Sequence, residues 1–190
     1  MSLRFDSFQM IRHRDYLLLS TKSNGISPQA EVIEIAAVDQ DGKVLLNTLV
    51  QPEQALSEGV CYPHSISNSM FADAPSWPQV CPALLDVLKG ELCVIWHAEF
   101  HLRLLLQTME RYQLDVPERF GAEGFFCAMR DYNHWQGTDE NERKHYLPLR
   151  DALQKEQLMV MQQPSALSDC LSSLAVIRSV EQQLRVIYGF

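Results

Sequence analysis

The chain has 190 residues, 46% of them hydrophobic and 21% charged, with a net charge of −8 at pH 7. That is enough for one hydrophobic core and little more, in an ordinary globular composition. No apolar run approaches the roughly 18 residues of a membrane span, and the acidity opposes non-specific attraction to a polyanion outside a locally basic groove.

The opening residues, Met1 to Asp6, lack the long apolar stretch of a secretory signal. Five cysteines (Cys61, Cys81, Cys93, Cys127 and Cys170) include no C-x-x-C pair. Buried free thiols and a cytoplasmic location are therefore expected.

The first clear element is a buried strand over Tyr16 to Leu19, followed by a polar turn, Ser20-Thr21-Lys22-Ser23-Asn24, that closes at Gly25. Glu31 to Val38 reads as a second strand. Asp39-Gln40-Asp41-Gly42 is a hairpin turn, with glycine where a positive φ is favoured. Lys43 to Val50 returns as a third strand, so the first three form an antiparallel meander.

Prolines at 52, 63 and 75 make residues 52–76 loop-rich. Trp77 to Lys89 has helical spacing at Val80, Leu84, Leu85 and Leu88, and Gly90 fits its C-terminal cap. Leu92 to Trp96 is a short buried strand. Phe100 to Tyr112 is a helix with Leu104, Leu105 and Met109 on one face, and Phe125 to Met129 is a fifth strand.

Residues 131–146 are polar, without a strong period, and read as a flexible loop. Leu149 to Gln157 is a short helix. Ala166 to Tyr188 is the longest periodic helix, with Leu167, Leu171, Leu174, Ile177 and Leu184 in register. No repeat or long linker divides the chain, so 1–190 reads as a single α/β domain.

The order of these elements and their local words resemble the DEDDh 3′–5′ exonucleases, the family of bacterial proofreading subunits. The resemblance runs over about residues 15–180. Glu31 to Val38 resembles the family's second strand, and Thr48-Leu49-Val50-Gln51-Pro52 its third. His64-Ser65-Ile66-Ser67-Asn68-Ser69-Met70 is similar to its His-Gly-Ile-Thr-Asp-x-Met loop. Ala72-Asp73-Ala74-Pro75 before Trp77 resembles the entry to its first helix, and Phe126-Cys127-Ala128-Met129-Arg130 its fifth strand. The fold implied is ribonuclease-H-like: a five-stranded mixed sheet flanked by helices, with a core over about 15–180.

The departures lie at the catalytic motifs. Where the family reads Asp-x-Glu-Thr-Thr-Gly, this chain has Ser20 and Lys22 in the two acid slots. Where it reads His-Asn-x-x-Phe-Asp, the chain reads Trp96-His97-Ala98-Glu99-Phe100-His101, so the acid is His101. Where it reads His-x-Ala-x-x-Asp, the chain reads Pro164-Ser165-Ala166-Leu167-Ser168-Asp169. Asp169 is retained, and the general-base histidine is Pro164.

Two-metal phosphoryl chemistry needs carboxylates that hold two ions about 3.5–4 Å apart, and magnesium prefers hard oxygen ligands. One hydroxyl, one ammonium, one imidazole and one carboxylate do not supply them. No magnesium binding is expected, and loss of the base removes a further factor of about 10²–10⁴. By the resemblance, Lys22 and Asp169 occupy the same metal site, so the Lys22 ammonium is expected to pair with Asp169 in place of a metal.

Other constellations compete for the same residues. Ser20, His101 and Asp169 form a nominal nucleophile, base and orienter set. His97 and His101, four apart, are candidate transition-metal ligands with Asp169. Glu34 and Glu99 would give a shifted metal site if both reached inward. His64 lies at a family loop position near the substrate groove, and Arg143, Lys144 and Tyr146 offer phosphate contacts and a stacking face. Trp96 replaces a histidine and fills the space left by metals and water.

The expected function is a catalytically inactive, exonuclease-fold module that binds a single-stranded nucleic-acid end or a protein partner. No cofactor and no membrane association are expected, and a homodimer fits the family's habits. The alternative is an active 3′–5′ exonuclease with a relocated site for Mg²⁺ or Mn²⁺.

Overall fold

The computed structural model describes residues 14–56, 66–89, 92–116, 124–137, 147–161 and 163–189. Five strands are β1 (Tyr16–Ser23), β2 (Val32–Asp39), β3 (Val44–Leu49), β4 (Leu92–Ile95) and β5 (Phe125–Cys127). Among the described residues the helices are α1 (Trp77–Val87), α2 (Ala98–Arg111), α3 (Ala128–Trp135), α4 (Leu149–Lys155) and α5 (Ala166–Tyr188). A 3₁₀ turn spans Asn68–Phe71.

The strands form one mixed sheet in the order β3-β2-β1-β4-β5. The expected meander is present, with β1 antiparallel to β2 and β2 antiparallel to β3. β4 and β5 add parallel to β1 through helical crossovers. The β2–β3 turn is built from Asp39, whose carboxylate accepts the Asp41 and Lys43 N–H groups at 2.9 and 2.8 Å. Gly42 closes that turn at φ 91°, a conformation that favours a residue without a Cβ.

The sheet is covered on both faces, which explains near-continuous apolar runs in place of alternation. Tyr16, Leu18, Ala36, Val38 and Val94 pack with Tyr132, Leu153, Cys170, Leu174 and Ile177 of α3, α4 and α5. Leu17, Leu19, Ile35, Ala37 and Ile95 pack with Trp77, Leu84, Leu104 and Met109 of α1 and α2. The side chain of β1 at each position therefore has one of two distinct neighbourhoods, set by the parity of its number.

Two expectations need correction. Ser20 to Ser23 is not a turn: β1 continues through it, every residue buried. The side chains of Ser20, Thr21 and Lys22 are satisfied by groups distant in sequence, and Ser23 Oγ donates to Gly25 O at 2.6 Å. The fifth strand stops at Cys127, and residues 128–135 are helical. Ala128, Tyr132 and Trp135 follow an i, i+4, i+7 spacing, and Ala128 and Tyr132 are fully buried against the β5 side of the sheet. Of the loop expected over 131–146, residues 131–135 belong instead to α3. Residues 138–146 lie outside the described residues, as do Gly90 and Cys61.

The longest helix is anchored at its start by reciprocal bonds. Ser168 N–H donates to Ser165 Oγ at 3.0 Å, and Ser165 N–H donates to Ser168 Oγ at 2.8 Å. This fixes the first turn of α5, and with it Asp169, over the sheet.

Candidate functional site

Ser20 and Lys22 share a face of β1 because they are two residues apart, and that face looks onto α5. Asp169 lies in the first turn of α5. The Lys22 Nζ donates to Asp169 Oδ2 at 2.6 Å, and Ser20 Oγ donates to the same oxygen at 3.4 Å. Lys22 is buried, whereas the Asp169 side chain keeps a third of its surface exposed. The expected pairing of the ammonium with the surviving acid is therefore present.

Glu34 completes this group. It is the direct cross-strand partner of Lys22, so the two side chains lie on one face of the β1–β2 ladder. Its Oε2 accepts the Ala166 N–H at 3.0 Å, at the N-terminus of α5. Burial pushes the Glu34 carboxyl above its ordinary value. The Ala166 bond and Lys22 pull it back, and Asp169 raises it. The cluster thus contains two carboxylates, one ammonium and one helix N-terminus.

His101 is placed differently. β1 pairs with β4 only as far as Leu18 opposite Val94. Beyond that point the β4 side of β1 has no strand beside it, and the Thr21 N–H donates to His101 Nδ1 at 3.2 Å. The Thr21 hydroxyl lies 2.7 Å from the same nitrogen. A backbone N–H only donates, so Nδ1 is the acceptor, the hydroxyl donates, and the neutral ring carries its proton on Nε2. Burial, then His97 and Lys22, hold the His101 pKa down to about 3.

This arrangement corrects the nominal Ser20, His101, Asp169 set. Ser20 donates to Asp169 directly, while the imidazole is turned to Thr21 and is too weak a base near neutral pH. The proposed His97 and His101 metal pair is not formed either. His97 is the N-cap of α2 in a left-handed conformation, φ 61°, with its ring stacked on Phe100 at 5.8 Å. Among the described residues, no group of three or more His, Cys, Asp or Glu side chains is placed to hold a metal ion. Glu34 does reach inward, but Glu99 is exposed.

Trp96, at the end of β4, packs against Tyr132 with ring centroids 5.7 Å apart, and its Nε1 donates to Leu147 O at 3.0 Å. The indole thereby ties β4 to the segment entering α4. Pro164 precedes the N-cap of α5 and has no N–H or titratable group to offer. His64, Arg143, Lys144 and Tyr146 lie outside the described residues.

With the site in view, relatives can be placed. A family model for the RNase_T exonucleases matches residues 20–177, from the first altered motif position through the middle of α5. The chain belongs to this exonuclease family. The uncharacterized exonuclease CP81 of Escherichia phage 186 is 29% identical over 167 residues, covering 86% of each protein.

Solved exonucleases share the fold at lower identity. A 3′-exonuclease solved for 3′-end-specific recognition of a histone mRNA stem-loop superposes with a TM-score of 0.73 at 16% identity. That match covers 89% of this chain and 64% of the other. The nuclease domain of 3′hExo, a DEDDh family member bound to rAMP, gives 0.69 at 16% identity, covering 89% and 92%. The exonuclease fold is therefore shared across the sheet and its flanking helices.

By the resemblance, divalent ions would be held at the positions of Ser20, Lys22, His101 and Asp169. The donors present do not fit them. An ammonium holds the one retained acid at 2.6 Å, the serine hydroxyl is spent on the same oxygen, and the imidazole nitrogen is spent on Thr21. Sequence reasoning missed Glu34 as a member of this cluster in its actual role. Its place opposite Lys22 depends on the β1–β2 register, which the length of the loop between the strands does not reveal.

Proposed function

We propose that this exonuclease-fold protein has no nuclease activity and serves as a binding module for a single-stranded nucleic-acid end. One observation carries the reading: the Lys22 ammonium sits 2.6 Å from Asp169 Oδ2, where the resemblance puts a metal between two acids. A two-ion mechanism begins with carboxylates free to ligate. Here the retained carboxylate is neutralised, and the imidazole that replaces another acid is uncharged and bound to the backbone. No metal is required for this function.

The reading of a nucleic-acid partner is supported by kinship with proteins solved on a 3′ end and on rAMP. Binding then depends on shape and local groups, because the net charge of −8 gives no general attraction. Against a relocated metal site stand the Lys22 ammonium, opposite Glu34 and paired with Asp169, and the exposure of Glu99.

Labelled single-stranded DNA and RNA are incubated with the purified protein in Mg²⁺ or Mn²⁺, beside an Asp169→Ala control. The expected result is retardation that weakens with salt, and no shortening. Loss of nucleotides that depends on Asp169 would overturn the inactive reading. Neither retardation nor shortening would replace the nucleic-acid partner with a protein.

A further inference from the structure

Carboxylate clusters built for metals are unstable without them, because like charges a few ångströms apart repel and their burial is uncompensated. This chain keeps one such carboxylate, Asp169, with the buried Glu34 close enough at the start of α5 to interact with it electrostatically. Each already has a positive partner inside the protein. Asp169 has the Lys22 ammonium and the Ser20 hydroxyl on one oxygen. Glu34 has the Ala166 N–H at the positive end of a 23-residue helix, and Lys22 directly across the ladder.

We propose that Lys22 is a tethered counter-ion that makes this exonuclease pocket self-sufficient, so that the fold needs no divalent ion and one charge reversal, Lys22→Glu, recreates a cation site. The inference builds on the inactive reading but concerns stability and ion binding, not catalysis. Its physical basis is position. Lys22 is 7% exposed and lies opposite Glu34, in the last regular pair before the β1–β2 register shifts at Ser23. A solvated surface lysine would contribute little there. A buried one, 2.6 Å from a carboxylate, leaves an unpaired charge whichever partner is removed.

The same geometry states what a reversal does. An acid at position 22 would face Glu34 across the ladder and Asp169 from α5, and three carboxylates around one point are oxygen donors of the kind that Mg²⁺ and Mn²⁺ take. Without an ion that cluster repels itself; with one it is neutralised.

Thermal unfolding of the full chain tests this, in EDTA and across a Mn²⁺ titration, for the wild type, Lys22→Met, Lys22→Met/Asp169→Asn and Lys22→Glu. The wild-type midpoint is expected to be the same in EDTA and Mn²⁺. Lys22→Met is expected to lower it by about 6–10 °C, the lower part of the range for a buried pair because Asp169 is partly exposed. The double variant is expected to recover at least half of that loss. Lys22→Glu is expected to be less stable than wild type in EDTA and to gain about 5–10 °C at saturating Mn²⁺.

Should Lys22→Met fail to fold, a folded double variant supports the counter-ion role, and an unfolded one overturns it. A wild-type midpoint that rises with Mn²⁺, or a Lys22→Glu midpoint that ignores it, also overturns it. Nuclease assays do not enter this test, so the inactive reading can fail while the counter-ion stands, and the reverse.

Discussion

His101 and Thr21 meet through three groups: one ring nitrogen accepts both the backbone N–H and the hydroxyl of the threonine, at 3.2 and 2.7 Å. The contact finishes an edge that the sheet leaves open, since β4 ends its pairing with β1 at Leu18. It also removes the imidazole from the Ser20 and Asp169 side of the strand.

The first prediction follows from that contact. The folded pKa of His101, about 3, lies below the ordinary histidine value of 6.5. Between those values the unfolded chain binds more protons, so stability falls as pH drops from about 6.5 toward 3. His101→Asn keeps an acceptor for Thr21 N–H and removes the titration. Urea unfolding at pH 7.5 and 5 is expected to show a smaller loss for the variant than for wild type. His101→Leu leaves the Thr21 N–H without a partner and is expected to cost about 1–3 kcal/mol at pH 7.5 and less at pH 5, where the wild type has itself lost stability.

Glu34 behaves with the opposite sign. Its carboxyl is raised above 4.5, so just above that value the folded state holds more protons and stability declines as pH rises. Glu34→Gln retains an acceptor for Ala166 N–H without a buried charge. It is expected to flatten this decline and to be no less stable than wild type at pH 7. Glu34→Ala strips the first turn of α5 of its acceptor and is expected to cost about 1–2 kcal/mol. Equal losses for both substitutions, measured by urea unfolding, would contradict this account.

The contrast between these residues shows what the sequence discloses. The meander, the long helix Ala166–Tyr188 and the sheet class are legible because apolar periodicity and turn residues are local signals. The nearness of Lys22 to Asp169 is legible through family resemblance. The extension of β1 through Ser20-Thr21-Lys22-Ser23 is not, because those residues have turn-like chemistry. They become strand only when α5 and α2 supply Asp169 and His101 as partners. The orientation of His101 is hidden for a related reason: it depends on β4 being shorter than β1, a fact of pairing and not of composition. Helix α3 was hidden by its polar residues, although Ala128, Tyr132 and Trp135 keep the period.

The β2–β3 turn offers a test of backbone strain. Gly42 sits at φ 91°, and a Cβ there would meet Leu174 Cδ2 at 3.6 Å, an ordinary contact. Space is therefore not limiting, and the cost of Gly42→Ala is conformational. About 1–2 kcal/mol is expected from chemical unfolding. Gly42→Asn is expected to cost less, because asparagine tolerates left-handed backbone better than alanine.

Trp96 supplies the last prediction, because it separates packing from hydrogen bonding. Its ring is buried against Tyr132, and its Nε1 reaches Leu147 O at 3.0 Å, just ahead of α4. Trp96→Phe removes the donor and part of the ring. The carbonyl of Leu147, which is only half-buried, can take water instead, so the hydrogen-bond part of the loss is modest. Trp96→Ala removes the whole ring and opens a cavity beside Tyr132. Losses of about 1–2 kcal/mol for Trp96→Phe and about 3–5 kcal/mol for Trp96→Ala are expected. Hydrogen exchange adds a second readout. If the indole N–H anchors the segment entering α4, amides of Leu149–Lys155 exchange faster in Trp96→Phe while those of β1 and β2 hold their protection. Uniform acceleration across the sheet would instead mark Trp96 as a packing residue whose bond to Leu147 is incidental.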